Sequence, residues 1–416
     1  MRFLLVNPNR FSSPPVPPIG LEILAGELIS AGHRISFLDL CFSPDTAHQI
    51  REAAASEKPD AACITIRNVD SVIFQNHESY LGGIRDIITE LRNVGVPRII
   101  AGGAGIATDP QGVAQFVGAD IALVGHAEGA APLIAEAMLL DITAPAVLDM
   151  RGRPPIRCRR SISLTDYPSY MRHGAVAGFE THKGCSSSCV YCMEANKPVF
   201  FRDASDVVRE IAALAGRGIS TFHLCDSEFN EDLDQSLSFL EQLISSGPGG
   251  IRWALYMKPG NFNQKLFRLL KKSGAELITL TVDSFRKCPL YWQDTEKMVF
   301  SAASTGIRLA IDFLTGFPFE TESEVRECFD LFRRIRPERV NVNTYIRLYK
   351  PLAITRLIME HPEERARIIG DPSGSLLEPV FYNRIAPDDL AAYAGSDPIF
   401  RIEGSEGGVN YSRIGL

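Results

Sequence analysis

The chain has 416 residues, of which 45% are hydrophobic and 22% charged, and a net charge of −7. That length accommodates two or three domains, and the composition is that of an ordinary globular protein. The acidic balance excludes a global basic field for nucleic acid or anionic membrane. No apolar run reaches the roughly 18 residues a membrane span needs, and the apolar start at Phe3–Val6 is too short for a secretory signal.

Nine cysteines, an odd number, stand at 41, 63, 158, 185, 189, 192, 225, 288 and 328. Scattered mostly through apolar runs, they point to reduced thiols in a cytoplasmic protein, and most of those outside the 185–192 group read as small core residues.

Residues 1–140 alternate strand and helix. Phe3–Val6 reads as a buried parallel strand, and Leu21, Leu24, Ala25 and Leu28 mark one face of a helix stopped at Gly32. Strands follow at Ile35–Leu38, Ala61–Ile66, Arg98–Gly103 and Ile121–Gly125, with helices around Ile50–Ala55, Leu81–Val94 and from about Ala130. This is a Rossmann-like, doubly wound sheet, whose ligand belongs beyond the carboxyl ends of the strands. The candidate binding residues there are Asn7, Gly20, Asp39, Thr65, Arg67, Gly102, Gly103, Ala104, Gly125 and Glu128. No G-x-G-x-x-G follows the first strand, which disfavours a dinucleotide. Residues 141–175, with Arg151, Arg153, Arg157, Arg159 and Arg160 around two prolines, read as a connector with a solvated basic face.

Residues 176–355 repeat a strand–helix rhythm about six times, as a (βα)6 partial barrel would. Strands are expected at Val176–Glu180, Thr221–Leu224, Trp253–Met257, Leu277–Val282, Leu309–Phe313 and Val340–Asn343. Asp203 or Ser205 caps the first helix. The polar residues of this part fall at the carboxyl ends of those strands, the rim where barrel chemistry gathers. Residues 356–416 form a C-terminal extension with an apolar segment at Leu376–Tyr382 and a glycine-rich stretch at Gly404–Gly408.

After the first barrel strand comes Gly184-Cys185-Ser186-Ser187-Ser188-Cys189-Val190-Tyr191-Cys192. Glycine and three serines permit a tight loop in which three sulfurs converge. A structural zinc site wants four ligands, commonly as two separated pairs, and no partner pair follows. Three thiolates leave one iron of a four-iron cluster open, since such clusters usually take four cysteines.

The C-x3-C-x2-C loop resembles the radical S-adenosylmethionine (SAM) superfamily. The Pro17-Pro18-Ile19-Gly20-Leu21 run, the Gly102-Gly103 loop, the Gly125-x-x-Glu128 turn, Asp226-Ser227-x-Phe229-Asn230 and Gly316-x-Pro318-x-Glu320-Thr321 resemble its cobalamin-binding-domain members, over roughly residues 1–355. The resemblance implies a [4Fe-4S] cluster on Cys185, Cys189 and Cys192, with SAM on the open iron. It places Asp226 and Glu228 by the SAM amino group, Asp283 and Ser284 by its ribose or carboxylate, and Tyr191 by its adenine. Ser227, Lys258 and Gly316 complete the expected SAM set. The competing reading of each residue is a strand-end cap or turn former. Cobalamin is implied on the N-terminal domain. The signature D-x-H-x-x-G is missing, so no histidine from it reaches cobalt.

The expected activity is methylation of an unactivated carbon of a small-molecule or natural-product substrate, through a 5′-deoxyadenosyl radical and methylcobalamin. A flavodoxin or ferredoxin would supply electrons. Cyclisation or rearrangement without methyl transfer is the first alternative, and a non-catalytic cobalamin- or redox-sensing module the second. A methylthiotransferase fits less well, because residues 1–150 hold only Cys41 and Cys63 where those enzymes carry three further cluster cysteines.

Overall fold

The structure is a computed structural model that describes residues 1–10, 14–375 and 377–404. The expected segments at 376 and 405–408 lie, to that extent, outside the described residues. The chain divides into two compact units: Met1–Ser71 with His77–Val176 and Tyr349–Pro351, and Val72–Asn76 with Ala177–Leu348 and the chain from Leu352 onward.

The first unit is built on strands β1 (Arg2–Asn7), β2 (Arg34–Asp39), β3 (Ala61–Thr65), β4 (Ile99–Gly102), β5 (Ile121–Val124) and β6 (Ala146–Asp149). They form one parallel sheet in the order β2-β1-β3-β4-β5-β6. β1, β3, β4 and β5 are buried almost throughout, because helices cover both faces of such a sheet. The helix Leu81–Asn93 buries Leu81, Ile84, Ile87, Ile88 and Leu91 as one stripe. The chain leaves β1 towards β2 and returns to β3 on its other side, so the crevice opens between the ends of β1 and β3.

Residues 141–175 are more than a connector: β6 extends the sheet and Met150 joins its core. Gly26, in the helix Ile19–Ser30, lets this segment lie against that helix, since a Cβ there would overlap the Arg159 carbonyl. Arg160 departs from the expected solvated face. It is 5% exposed, its Nε lies 2.5 Å from Glu22 Oε2, and it bonds the Tyr167 hydroxyl. A buried charge of this kind is tolerable only when so paired.

The second unit contains β7 (Ala177–Phe179), β8 (His182–Lys183), β9 (Phe200–Phe201), β10 (Thr221–Leu224), β11 (Arg252–Met257), β12 (Ala275–Asp283), β13 (Arg308–Leu314), β14 (Arg339–Val342), β15 (Ile346–Arg347), β16 (Ile368–Ile369), β17 (Phe381–Tyr382) and β18 (Phe400–Ile402). Seven of them make a parallel sheet in the order β18-β14-β13-β12-β11-β10-β7. The six expected strands are present, and β18 of the C-terminal extension adds a seventh beside β14. Along β13, Leu309, Ile311 and Phe313 are buried, Phe313 meeting Phe329 and Phe332 of the helix Glu322–Ile335, while Arg308 and Asp312 alternate with them. Asp203 caps the helix Ala204–Ala215 by accepting from the N–H groups of Ser205 and Asp206. Thr321 and Glu324 form a reciprocal capping box after the Gly316–Thr321 loop, which fixes where that loop ends.

Candidate cluster and cofactor sites

The three-cysteine loop leaves β8 at Gly184, whose φ is +85° and whose Cβ, if present, would overlap the Pro198 carbonyl. Only glycine fits there. The antiparallel pair β8 and β9 brackets the loop, and Lys197 N–H to Cys185 O (2.9 Å) and Asn196 N–H to Ser187 O (2.8 Å) close it. Each sulfur meets an N–H donor. Cys185 takes the backbone of Ser187, Cys189 takes Arg286 Nη2 at 3.4 Å, and Cys192 takes the backbone of Glu194 at 3.3 Å.

Such donors suit thiolates, the form that binds metal. Among the described residues, no three side chains of ligand type already converge as a metal site. Burial pushes the Cys185 thiol up to about 12, so metal binding there has to release a proton. The loop fits a cluster held by Cys185, Cys189 and Cys192.

Two polar clamps flank the loop. On one side Lys258 Nζ reaches Ser187 Oγ (3.0 Å) and Glu231 Oε1 (2.9 Å), while Glu231 Oε2 accepts from Ser186 Oγ at 2.5 Å. Burial works against the Glu231 anion, but the hydrogen bonds from Ser186, Lys258 and Cys185 outweigh it and hold the carboxyl below its usual range. On the other side the Tyr191 hydroxyl donates to Asp283 Oδ2 at 3.1 Å, and Arg286 lies beside the same oxygen. The Tyr191 ring packs on Phe317, 5.4 Å between centroids.

The expected SAM residues divide by their partners. Asp226 accepts from Thr181 N–H at 2.8 Å, from the Thr181 hydroxyl and from His182. Glu228 instead has a buried Oε2 with no hydrogen-bond partner. Burial pushes its carboxyl up to about 8; repulsion from Glu231 and Asp312 adds to this, and Lys258 and a hydrogen bond from the Thr281 side chain oppose it. Burial also raises Asp283, against the pull of Arg286 and Tyr191. Ser284 Oγ donates to Leu314 O at 3.1 Å. Gly316, with φ +83°, donates its N–H to Glu320 Oε2 at 2.8 Å. Ser227 is half-buried between Asp226 and Glu228. Glu231, Arg286 and Glu320 were outside the expected set. Glu231 directly follows the Asp226–Asn230 run, whereas Arg286 carried no local signal.

At the carboxyl end of the first sheet, Asn7 Nδ2 bonds Asp39 Oδ1 (2.8 Å) and the Tyr170 hydroxyl (3.0 Å), and that hydroxyl donates to Asp39 Oδ2 (2.8 Å). Asn7 and Asp39 thus form part of the crevice floor. Above it Thr65 pairs with Gly102 across β3 and β4, and Gly103 is half-buried. Arg67, Ala104 and Gly125 are exposed, and a Cβ at Gly20 would meet nothing within 4 Å. Glu128 Oε2 lies 3.7 Å from His126 Nδ1, a buried atom with no hydrogen-bond partner. A broad crest of small residues with an orphaned buried nitrogen beside it fits a large polar ligand such as cobalamin.

Residues 179–332 match the profile of the radical SAM superfamily, and residues 12–135 match the B12 binding domain. Tryptophan 2-C-methyltransferase of Streptomyces laurentii is 24% identical, covering 92% of this chain and 78% of that protein. A tRNA-2-methylthio-N(6)-dimethylallyladenosine synthase of Petrotoga mobilis is 24% identical over only 39% of this chain and 42% of its own. In fold, the chain resembles the radical SAM methyltransferase TsrM of Kitasatospora setae, solved with cobalamin and a [4Fe-4S] cluster. The TM-score is 0.81 at 23% identity, covering 97% of this chain and 92% of that one. It also resembles the cobalamin-dependent radical enzyme OxsB, with a TM-score of 0.71 at 12% identity, covering 94% and 65%. The three-thiol loop on a partial barrel and the preceding parallel sheet correspond to those two profiles, a radical SAM domain at residues 179–332 and a B12 binding domain at residues 12–135.

Proposed function

We propose that the chain is a cobalamin-dependent radical SAM methyltransferase that methylates a carbon of a small molecule. The observation that carries this reading is the alignment with a tryptophan C-methyltransferase through both domains, over 92% of this chain. When bound, the cluster, SAM and cobalamin together supply reductive chemistry and a transferable methyl group, and the protein's task is to hold and orient them.

In this reading Cys185, Cys189 and Cys192 hold the cluster, and Lys258 with Glu231 fixes the serines between the first two. Glu228 offers its unpartnered oxygen to the SAM ammonium. Asp283 and Ser284 serve the ribose or carboxylate end, and Tyr191 with Phe317 forms an aromatic wall for adenine. Asn7, Asp39 and Tyr170 brace the floor beneath cobalamin. Gly20, Thr65, Arg67, Gly102, Gly103, Ala104, Gly125 and Glu128 line its approach. Residues 1–140 are assigned to cobalamin and 176–355 to SAM, with 141–175 completing the first unit and 356–416 an extension of the second.

A low-potential electron donor of the flavodoxin or ferredoxin class is part of the proposal. A reducing, cytoplasmic setting accords with nine cysteines that are all free. No helix among the described residues is long and apolar enough to cross a membrane.

The test is anaerobic incubation of cluster- and cobalamin-loaded protein with methyl-deuterated SAM, a reductant, and tryptophan among other aromatic amino acids and indoles. Labelled methyl on a substrate carbon is the expected result. SAM cleavage without any methylated product would favour cyclisation or rearrangement, and a loaded protein that never consumes SAM would favour a sensor.

A further inference from the structure

Among the described residues, the Arg286 guanidinium is the side-chain cation that hydrogen-bonds one of the three sulfurs: its Nη2 lies 3.4 Å from Cys189 Sγ. Nothing in the expected SAM or cobalamin sets uses this residue. Its position is over-determined. Its backbone N–H donates to Asp283 Oδ1 at 3.1 Å, its carbonyl accepts from Trp292 Nε1 at 2.8 Å, and its Nε lies 3.7 Å from Asp283 Oδ2. That same Asp283 oxygen accepts from Tyr191, one of the two residues between Cys189 and Cys192. Arg286 and Asp283 therefore form a fixed cation–anion pair at the cluster loop, with the cation turned to the sulfur.

We propose that Arg286 is a positioning residue that sets the reduction potential of the cluster through its hydrogen bond to Cys189, with Asp283 as the opposing charge. The inference rests on the cluster being held by Cys185, Cys189 and Cys192. The step concerned takes up one electron from a low-potential donor, with no bond made or broken and no proton moved. Added negative charge on the iron–sulfur unit spreads onto its thiolates, and a cationic N–H donor on one of them favours the reduced state. Neutralising Arg286 disfavours reduction, and neutralising Asp283 unmasks the cation and favours it.

The test is a potentiometric titration of the full-length reconstituted protein without SAM, using dithionite and redox mediators, with the reduced cluster quantified by electron paramagnetic resonance. Arg286→Gln keeps an N–H donor and removes the charge. It should lower the equilibrium constant for reduction at least tenfold, about 59 mV for a one-electron couple. Arg286→Lys should recover most of that, and Asp283→Asn should move the potential the opposite way. Iron content, measured beside each titration, should stay at the wild-type level.

An unchanged potential in Arg286→Gln, or shifts of the same sign in Arg286→Gln and Asp283→Asn, overturns the proposal. Loss of iron from both Arg286 variants also overturns it and makes the residue part of the loop's scaffold. Failure of the wild-type protein to take up iron on Cys185, Cys189 and Cys192 would sink the underlying cluster reading instead. The potential separates this role from a merely structural one, because loosening of the loop has no reason to give opposite shifts for opposite charges.

Discussion

Asp226 holds His182 through a 3.1 Å contact between its Oδ2 and the imidazole Nδ1, with both side chains completely buried. Thr181 satisfies the rest of that carboxylate, so Asp226 spends its hydrogen bonds on the strand that leads into the cysteine loop. Two residues on, Glu228 has an oxygen to spare. The two acids should therefore separate by substitution. Glu228→Gln should weaken SAM binding roughly ten- to hundredfold, the equivalent of about 1.5–3 kcal/mol for a lost charge-assisted bond, with iron retained. Asp226→Asn should lower thermal stability and leave SAM affinity within a few-fold. Equilibrium dialysis with labelled SAM, read beside a melting curve, checks both; the reverse pattern would transfer the ammonium to Asp226.

A proton should leave when SAM binds. Burial raises the Glu228 carboxyl from 4.5 to about 8, so near neutral pH it is protonated, whereas an ammonium partner demands the anion. Calorimetry in buffers of differing ionisation enthalpy should report release approaching one proton near pH 7 and little above about pH 9, with affinity rising towards pH 8. The apoprotein should show the complementary trend. The contribution of this raised group to stability is fully present below about 4.5 and is lost as pH rises through about 8. Glu228→Gln should abolish both effects, and pH-independent SAM binding without proton release would refute the assignment.

How much of this was legible in the sequence depended on the distance over which a residue finds its partners. The sheet strands are continuous apolar runs, and the cysteine loop is nine adjacent residues, so both could be recognised locally. Arg160 sits among five arginines and two prolines and reads as solvated; its partner Glu22 is 138 positions away. β6 and β18 have only four and three residues, and each becomes a strand by pairing with an edge that the rest of the sheet creates. Arg286 meets Cys189 across 97 positions, between the ends of different barrel strands. The division between Asp226 and Glu228 likewise arises only in the folded chain, because alternation no longer dictates direction once β10 has ended at Leu224.

Iron should depend on three of the nine cysteines. Joint replacement of Cys185, Cys189 and Cys192 by alanine should remove the iron–sulfur chromophore and SAM cleavage. Cys63, inside β3, is 1% exposed, and burial pushes its thiol up to about 12. Cys63→Ala should keep the wild-type iron load at a small cost in stability. Iron retained in the triple variant, or lost in Cys63→Ala, would displace the site.

Cobalamin should bind without an imidazole below the cobalt. His126 is the histidine in the loop after β5, and its Nε2 is held 2.9 Å from the Arg153 carbonyl while Nδ1 is buried. Electron paramagnetic resonance of the cob(II)alamin-loaded protein should lack the nitrogen splitting of a lower imidazole, and His126→Ala should leave the spectrum unchanged. Splitting that disappears in His126→Ala would make this histidine the ligand.

The C-terminal extension should act on the SAM site through Glu364. That side chain is 1% exposed and accepts from the Tyr382 hydroxyl, from Phe319 N–H at 3.2 Å and from Arg384 Nη1 at 3.2 Å. Arg384 in turn donates its backbone N–H to Gly316 O at 3.1 Å and its Nε to Glu320 O at 3.3 Å. One buried carboxylate thus ties the extension to the Gly316–Thr321 loop, which Glu320 organises from within. Glu364→Gln keeps the shape but leaves Arg384 without its counter-charge. A fully buried pair would lose more, but Arg384 keeps partial access to solvent, so the cost should be about 2–3 kcal/mol. The variant should melt earlier and bind SAM several-fold more weakly, with its iron retained. Glu363→Gln, at an exposed neighbouring position, is the control. If Glu364→Gln melts and binds SAM like Glu363→Gln, the extension does not hold this loop, and Glu320 alone maintains it.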